Sequence, residues 1–249
     1  MPARTSEALV LRTYPLKESD LIVSFLTRDH GKLRGVAKRA RRPKSAFGSG
    51  LERLSHVNMS YFQRENRELV NLDRCELIHS QFALASDYAA SVALDFMAEV
   101  AEQLLPAAEA NEKFFRLLLA VLDLLRRERE RGVWRAVTYF SYWAVRLAGI
   151  LPELHVCLQC GTWLDDPAAP QRAFFSRADA GLLCETCRRP GSWELAIEAR
   201  NLAEAMSKSS VEQVLVSRDS SAGLRRYLTQ RIEETIDRKL HTVEVLEGC

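Results

Sequence analysis

Long apolar runs are absent from this chain. The longest stretch without Asp, Glu, Lys or Arg covers residues 154–164, eleven positions, whereas a helix that crosses a bilayer needs about 20. Residues 1–10, MPARTSEALV, lead straight into a strand pattern without the apolar segment of a secretory signal, so none is expected. Catalytic signatures are missing as well. There is no G-x-x-x-x-G-K-[ST], no G-x-G-x-x-G after a strand, no H-E-x-x-H and no G-x-S-x-G. That removes the common phosphate cradles, the helical zinc-protease site and the hydrolase nucleophile turn, and the chain is read as non-enzymatic. Its five histidines are scattered, and Asp165 and Asp166, the one tempting carboxylate pair, precede Pro167 and read as a turn. Internal repeats and low-complexity tracts are also lacking. What remains is 249 residues, 47% hydrophobic and 27% charged. This is ordinary globular material for one or two domains, expected to be soluble and intracellular with reduced thiols.

Acids are absent from one place in particular. Residues 30–50 carry seven basic side chains, Lys32, Arg34, Lys38, Arg39, Arg41, Arg42 and Lys44, and no Asp or Glu. The whole chain is only +2, which leaves −5 for everything else. A patch of this kind repels itself in a compact state and attracts polyanions, so nucleic acid is the expected partner. On charge alone a solvated loop is the competing reading. Context favours binding, because aromatic residues follow: Phe47 in the connection, then Tyr61 and Phe62 on the next strand. Cations hold phosphates while ring faces stack on bases. Phe47 and Phe62, in a loop and near a strand end, suit stacking better than Tyr61.

The hydropathy pattern divides the chain in two. Residues 6–14 and 19–27 read as strands, Asp29, His30 and Gly31 as a turn, and 32–37 as the return strand. Residues 54–62 alternate, with Val57, Met59 and Tyr61 against His56, Asn58 and Ser60. A turn at 63–66 and a last strand at 67–78 complete five antiparallel strands, with a long connection between the third and fourth. This predicts an OB-type barrel, although an SH3-like barrel fits the strand count almost as well. From about residue 81 the period becomes helical, with Phe82, Ala85, Ala89, Val92, Phe96, Val100 and Leu104 at spacings of three and four. Asn111 is placed to cap a second helix; a third is expected over 133–147, and others over 193–206 and 223–243. The predicted class is α+β: a barrel over residues 1–79, then a mainly helical domain over 80–249 with a cysteine module at about 153–191. The aromatic stripes of the helices, Trp134 and Trp143 among them, are assigned to core packing.

Four of the six cysteines form two Cys-x-x-Cys pairs, Cys157/Cys160 and Cys184/Cys187. Each pair can aim two thiolates at one point, and two such knuckles complete a tetrahedral zinc site with no open position, so the ion would be structural. Gly161 allows the tight turn after Cys160. An iron–sulfur cluster, a redox dithiol and incidental thiols remain the alternatives. His155 is a spare donor that flanks the first knuckle. Residues 172–176 read as a short strand between the pairs.

The stretch EALVLRTYPLKESDLIVSFLTRDHGKLRGVAKRARRPKS, with LAGILPELHVCLQCG over residues 147–161, resembles the RecO family of bacterial DNA repair and recombination mediators. The resemblance covers nearly the whole chain. It implies an OB domain, a helical domain with an inserted zinc module, no nucleotide hydrolysis, and a cytoplasmic, nucleoid-associated location. It further implies binding of single- and double-stranded DNA, annealing of complementary strands, and action with RecR to load RecA onto DNA covered by single-strand-binding protein. The seven cations named above match the family's basic motif, and Cys157, Cys160, Cys184 and Cys187 match its zinc motif. Some members lack these cysteines, which favours a structural ion. The residues alone leave other readings open: an RNA-binding zinc-ribbon and OB protein of ribosome or RNA metabolism, a zinc-dependent hydrolase, and an interaction scaffold.

Overall fold

The computed structural model describes residues 3–63, 68–169 and 171–249. The chain is α+β and packs as two compact units, residues 1–133 together with 240–249, and residues 134–239. The last strand of the barrel ends at His79, and the packing groups the next two helices and the last ten residues with the barrel. Among the described residues no helix is long and apolar enough to cross a membrane.

In the first unit β1 (Ala3–Pro15), β2 (Leu21–Thr27), β3 (Gly31–Ala37), β4 (His56–Phe62) and β5 (Leu69–His79) close into a barrel. Its order is β1-β2-β3-β5-β4, with β4 pairing back to β1. The expectation of wholly antiparallel strands is corrected at one seam, where β3 and β5 run parallel. This connectivity is OB-like. The turn expected at 63–66 and the strand start at 67 extend outside the described residues.

Alternation explains the core. Val23, Phe25, Leu33, Val57, Met59, Tyr61 and Val70 point inward and are buried, and Tyr61 meets Phe25 edge-on at 5.9 Å. On β1 the register slips between Val10 and Arg12. Leu11 is the extra residue of a bulge there, and it turns Arg12 and Tyr14 to the outer surface.

Gly31 allows a close approach that no other residue could make. Its φ is +72°, and a Cβ would sit 2.0 Å from the carbonyl oxygen of Glu109. Beside it the Lys32 carbonyl accepts a hydrogen bond from the Ala108 N–H at 2.8 Å. Gly31→Ala is expected to cost about 2–3 kcal/mol through backbone strain and displacement of this contact. A thermal melt reads the loss, and an unchanged midpoint would contradict the close packing.

Among the helices, α1 (Tyr88–Leu104) is capped by Asp87, whose carboxylate accepts the Ala90 N–H at 3.0 Å. The helical period is expected from about residue 81, but residues 82–84 form a short 3-10 turn and Phe82 is 73% exposed. The second, α2 (Glu112–Glu128), starts at the expected Asn111 cap. The third, α3 (Val133–Leu147), has its expected bounds. Later boundaries differ. Trp193 and Glu194 form a strand, so α4 runs from Ile197 to Lys208. A Ser217/Ser220 capping box starts α5 (Arg218–Thr235) earlier than the apolar pattern suggested, and α6 (Val243–Glu247) is separate. The buried Glu99 of α1 ties α6 to the first unit by accepting hydrogen bonds from the His241 N–H and from the N–H and hydroxyl of Thr242. Burial alone would raise its carboxyl, and these donors hold it below the ordinary value.

His56 is buried on the outer side of β4, with Nε2 3.6 Å from Glu7 Oε2, His79 opposite at 5.9 Å, and Phe115 of α2 edge-on at 6.0 Å. Burial pushes its pKa below the ordinary 6.5; Glu7 opposes this, while His79 and Arg28 add to it. A depressed folded-state value means that stability is full above about pH 6.5 and falls as the pH drops below it. Urea midpoints are therefore expected to fall from pH 7.5 to 5.5, and His56→Phe to flatten that slope; equal slopes would contradict the assignment.

Candidate nucleic-acid interface and metal centre

Two different surfaces arise from the outer side of β1, β2 and β3. Toward one end, Leu9, Leu11, Ser24 and Leu26 are buried, and α1 packs on β1. Ser24 donates its hydroxyl hydrogen bond to the Glu102 carboxylate, and Lys32 donates from Nζ to the Glu102 carbonyl near the C-terminus of α1. Lys32 is therefore corrected from patch residue to helix cap. Its half-buried ammonium has a lowered pKa because of desolvation.

The other end is open. Arg12, Ser24 and Arg34 lie in one cross-strand row, and Tyr14, Ile22 and Val36 in the next. Arg12 and Arg34 are exposed, and the guanidinium carbon of each lies 5.2 Å from the Tyr14 ring centroid. Sequence reasoning missed Arg12 and Tyr14, because strict alternation from Ala8 and Val10 puts them inside and only the bulge at Leu11 turns them out.

β3 runs directly into the basic connection, which is a series of turns. Lys38, Arg39, Arg41, Arg42 and Lys44 are all exposed. Among the described residues no carboxylate forms an ion pair with any of them or with Arg12 or Arg34. The backbone is held firmly all the same. The Asp20 carboxylate accepts the Arg39 N–H at 2.8 Å, and the Ser19 carbonyl accepts the Arg41 N–H at 3.1 Å. Arg39 and Lys44 have φ of 55° and 59°, a left-handed geometry that is uncommon for such residues and favours sharp turns.

The two aromatic candidates separate. Phe47 is 4% exposed and belongs to the barrel core, with its carbonyl accepting from the Cys75 thiol and the Gly50 N–H. The expectation that it stacks on bases is corrected, because the connection folds back and buries the ring. Phe62 is half-buried on the outer side of β4, opposite Asn71.

The second unit holds the cysteines. Their four sulfur atoms all lie within 4.8 Å of one another, and Cys160 Sγ is 3.7 Å from Cys184 Sγ. A tetrahedral zinc with bonds of about 2.3 Å would put its sulfurs ~3.8 Å apart, so the set fits the ion. Each knuckle closes on itself: Gly161, at φ 73°, donates to the Cys157 carbonyl at 2.9 Å, and Cys187 donates to the Cys184 carbonyl at 3.2 Å. The Cys184 N–H also donates to Cys157 Sγ. Hydrogen bonds from Thr162 lower the Cys160 thiol to about 6, while its crowded neighbours, Cys184 first, raise Cys187 to about 12. Four thiolates this close need a cation to coexist, and the donor set can hold one metal ion.

His155 stands outside this set. Its Nδ1 pairs with Asp165, which also pairs with the buried Arg200 of α4, and its ring stacks on Trp163 at 5.8 Å. Asp165 is thereby used in structure, and Asp166 accepts the Ala168 N–H in a turn. A short strand, β6 (Phe174–Phe175), pairs with β7 (Trp193–Glu194). The arginines around them are largely neutralised, Arg172 by Glu185 and Glu194, and Arg189 by Asp179.

Comparison with known proteins agrees along the whole length. The family profile described as Recombination protein O N terminal matches residues 1–81, and that described as Recombination protein O C terminal matches residues 85–244. The chain is 43% identical over 247 residues to DNA repair protein RecO of Koribacter versatilis, covering 98% of both chains. It is 30% identical over 243 residues to that of Bifidobacterium animalis subsp. lactis, covering 97% of this chain and 98% of the relative. Against that of Cutibacterium acnes it is 34% identical over 197 residues, 77% of each chain. With both parts matched by their own profiles and relatives aligned almost end to end, the chain belongs to the recombination protein O family.

Proposed function

We propose that the protein is a non-enzymatic DNA-binding mediator of recombinational repair. It binds single- and double-stranded DNA, anneals complementary strands and, with RecR, helps load RecA onto DNA coated by single-strand-binding protein. The observation that carries the DNA-binding part is the exposed cationic surface of Arg12, Arg34, Lys38, Arg39, Arg41, Arg42 and Lys44 on one side of an OB-like barrel. The repair role is supported by relatives that are DNA repair proteins.

The mechanism needs no covalent step. Two complementary strands repel through their phosphates, and a cationic surface that contacts both lowers the cost of bringing their bases together. Released counterions supply much of the affinity. The strand-borne arginines fix a register on the backbone, and the turn-borne cations reach further along it. Cys157, Cys160, Cys184 and Cys187 would hold one zinc ion, which would neutralise the sulfurs and brace the fold of the second unit.

The test is annealing of complementary strands coated with the cognate single-strand-binding protein, without ATP. Faster annealing than in a protein-free control is expected. No acceleration, or a requirement for nucleotide, would overturn the reading, and stronger binding to matched RNA would shift it to RNA metabolism.

A further inference from the structure

We infer that the row Tyr14–Ile22–Val36 is a base-accepting strip that gives the barrel a preference for single strands over duplex; this rests on the proposed DNA binding. The three residues are register partners on β1, β2 and β3, and their side chains face away from the core because Val23 and Ala37, their inward neighbours, are buried. All three are half-buried, with part of each side chain open to solvent. The pairing carries the same row on through Asn71 of β5 to Phe62 of β4. Over β1, β2 and β3 this row is an apolar strip on the outer barrel surface, bordered on one side by Arg12 and Arg34 and on the other by the turn that begins at Lys38, and Asn71 separates it from Phe62.

This arrangement matches the chemistry of a single strand and not that of a duplex. Unpaired bases present apolar faces beside a single line of phosphates, whereas a duplex buries its base faces and offers mainly phosphates to such a surface. The two guanidiniums beside Tyr14 are held by the ring, so they can contact phosphate while the remaining ring surface and the aliphatic pair meet a base. Duplex binding then depends on the cations alone. Single-strand binding uses the cations and the strip together.

The variant Tyr14→Thr/Ile22→Thr/Val36→Thr keeps strand-forming side chains and every charge. Its binding to oligothymidylate is expected to fall at least about tenfold, roughly the value of one lost base stack. Its affinity for a blunt duplex should fall only by the small part that comes from loosening the two guanidiniums, and its salt dependence on both should stay at wild-type values. Tyr14→Leu, which preserves apolar burial, should lose several-fold on oligothymidylate and much less on the duplex, and Tyr14→Phe should lose nothing. Equal losses on both nucleic acids, or no loss on oligothymidylate, overturn the strip. Wild-type protein that retains neither probe overturns the DNA-binding reading on which it stands.

Discussion

Arg39→Glu/Arg41→Glu/Arg42→Glu is expected to lower single-strand affinity by roughly two orders of magnitude or more at moderate salt, and to abolish annealing. The substitution replaces three positive charges by three negative ones on turns where, among the described residues, no carboxylate forms an ion pair with the three guanidiniums. Strand phosphates that were attracted are then repelled, and the counterions they would have released stay bound. Folding should be unaffected. The three side chains are exposed, and the contacts that hold the turns, from Asp20 to Arg39 and from Ser19 to Arg41, use backbone N–H groups that the variant retains. Relief of mutual repulsion leaves the thermal midpoint at or slightly above the wild-type value. Native affinity in the variant would remove these residues from the interface. A collapsed midpoint would show that the turns depend on their side chains.

The other large effect is expected at the cysteines. Cys184→Ser, or removal of the ion by a strong chelator, should unfold the module around the two knuckles, with loss of near-ultraviolet circular dichroism from Trp163 and Trp193. Structural zinc contributes on the order of 10 kcal/mol of apparent binding energy in small modules. Here Cys157 and Cys184 are buried, so an uncompensated thiol cluster is left inside the fold. Metal analysis should find about one zinc per chain in the wild type. The barrel and its cationic surface belong to the other compact unit, so oligonucleotide binding should survive chelation in large part. A metal-free protein with an intact signal, or binding that vanishes with the metal, would contradict this division of labour.

The legible parts of the fold are those governed by short-range periodicity. Alternation located the five strands, and the three-and-four spacing with Asn111 located α2. What escaped depends on contacts distant in sequence. Lys32 looked like its neighbours, and its ammonium is taken by the carbonyl of a residue seventy positions later. Phe47 sits in a polar, basic segment, and only the return of that segment onto Cys75 buries its ring. The bulge at Leu11 hid Arg12 and Tyr14, since one extra residue inverts every later side chain of the strand. Trp193 and Glu194 pair across only two residues, too short for any period to register. The clustering of the four cysteines was readable because its signal is spacing and donor chemistry, which do not depend on the course of the intervening chain.

The central claim is that phosphate neutralisation by this surface supplies the affinity. Single-strand binding measured across a salt series tests it most directly. Four or five phosphate contacts predict a slope near −3 for log K against log salt. A line that stays flat from low to high salt would contradict it.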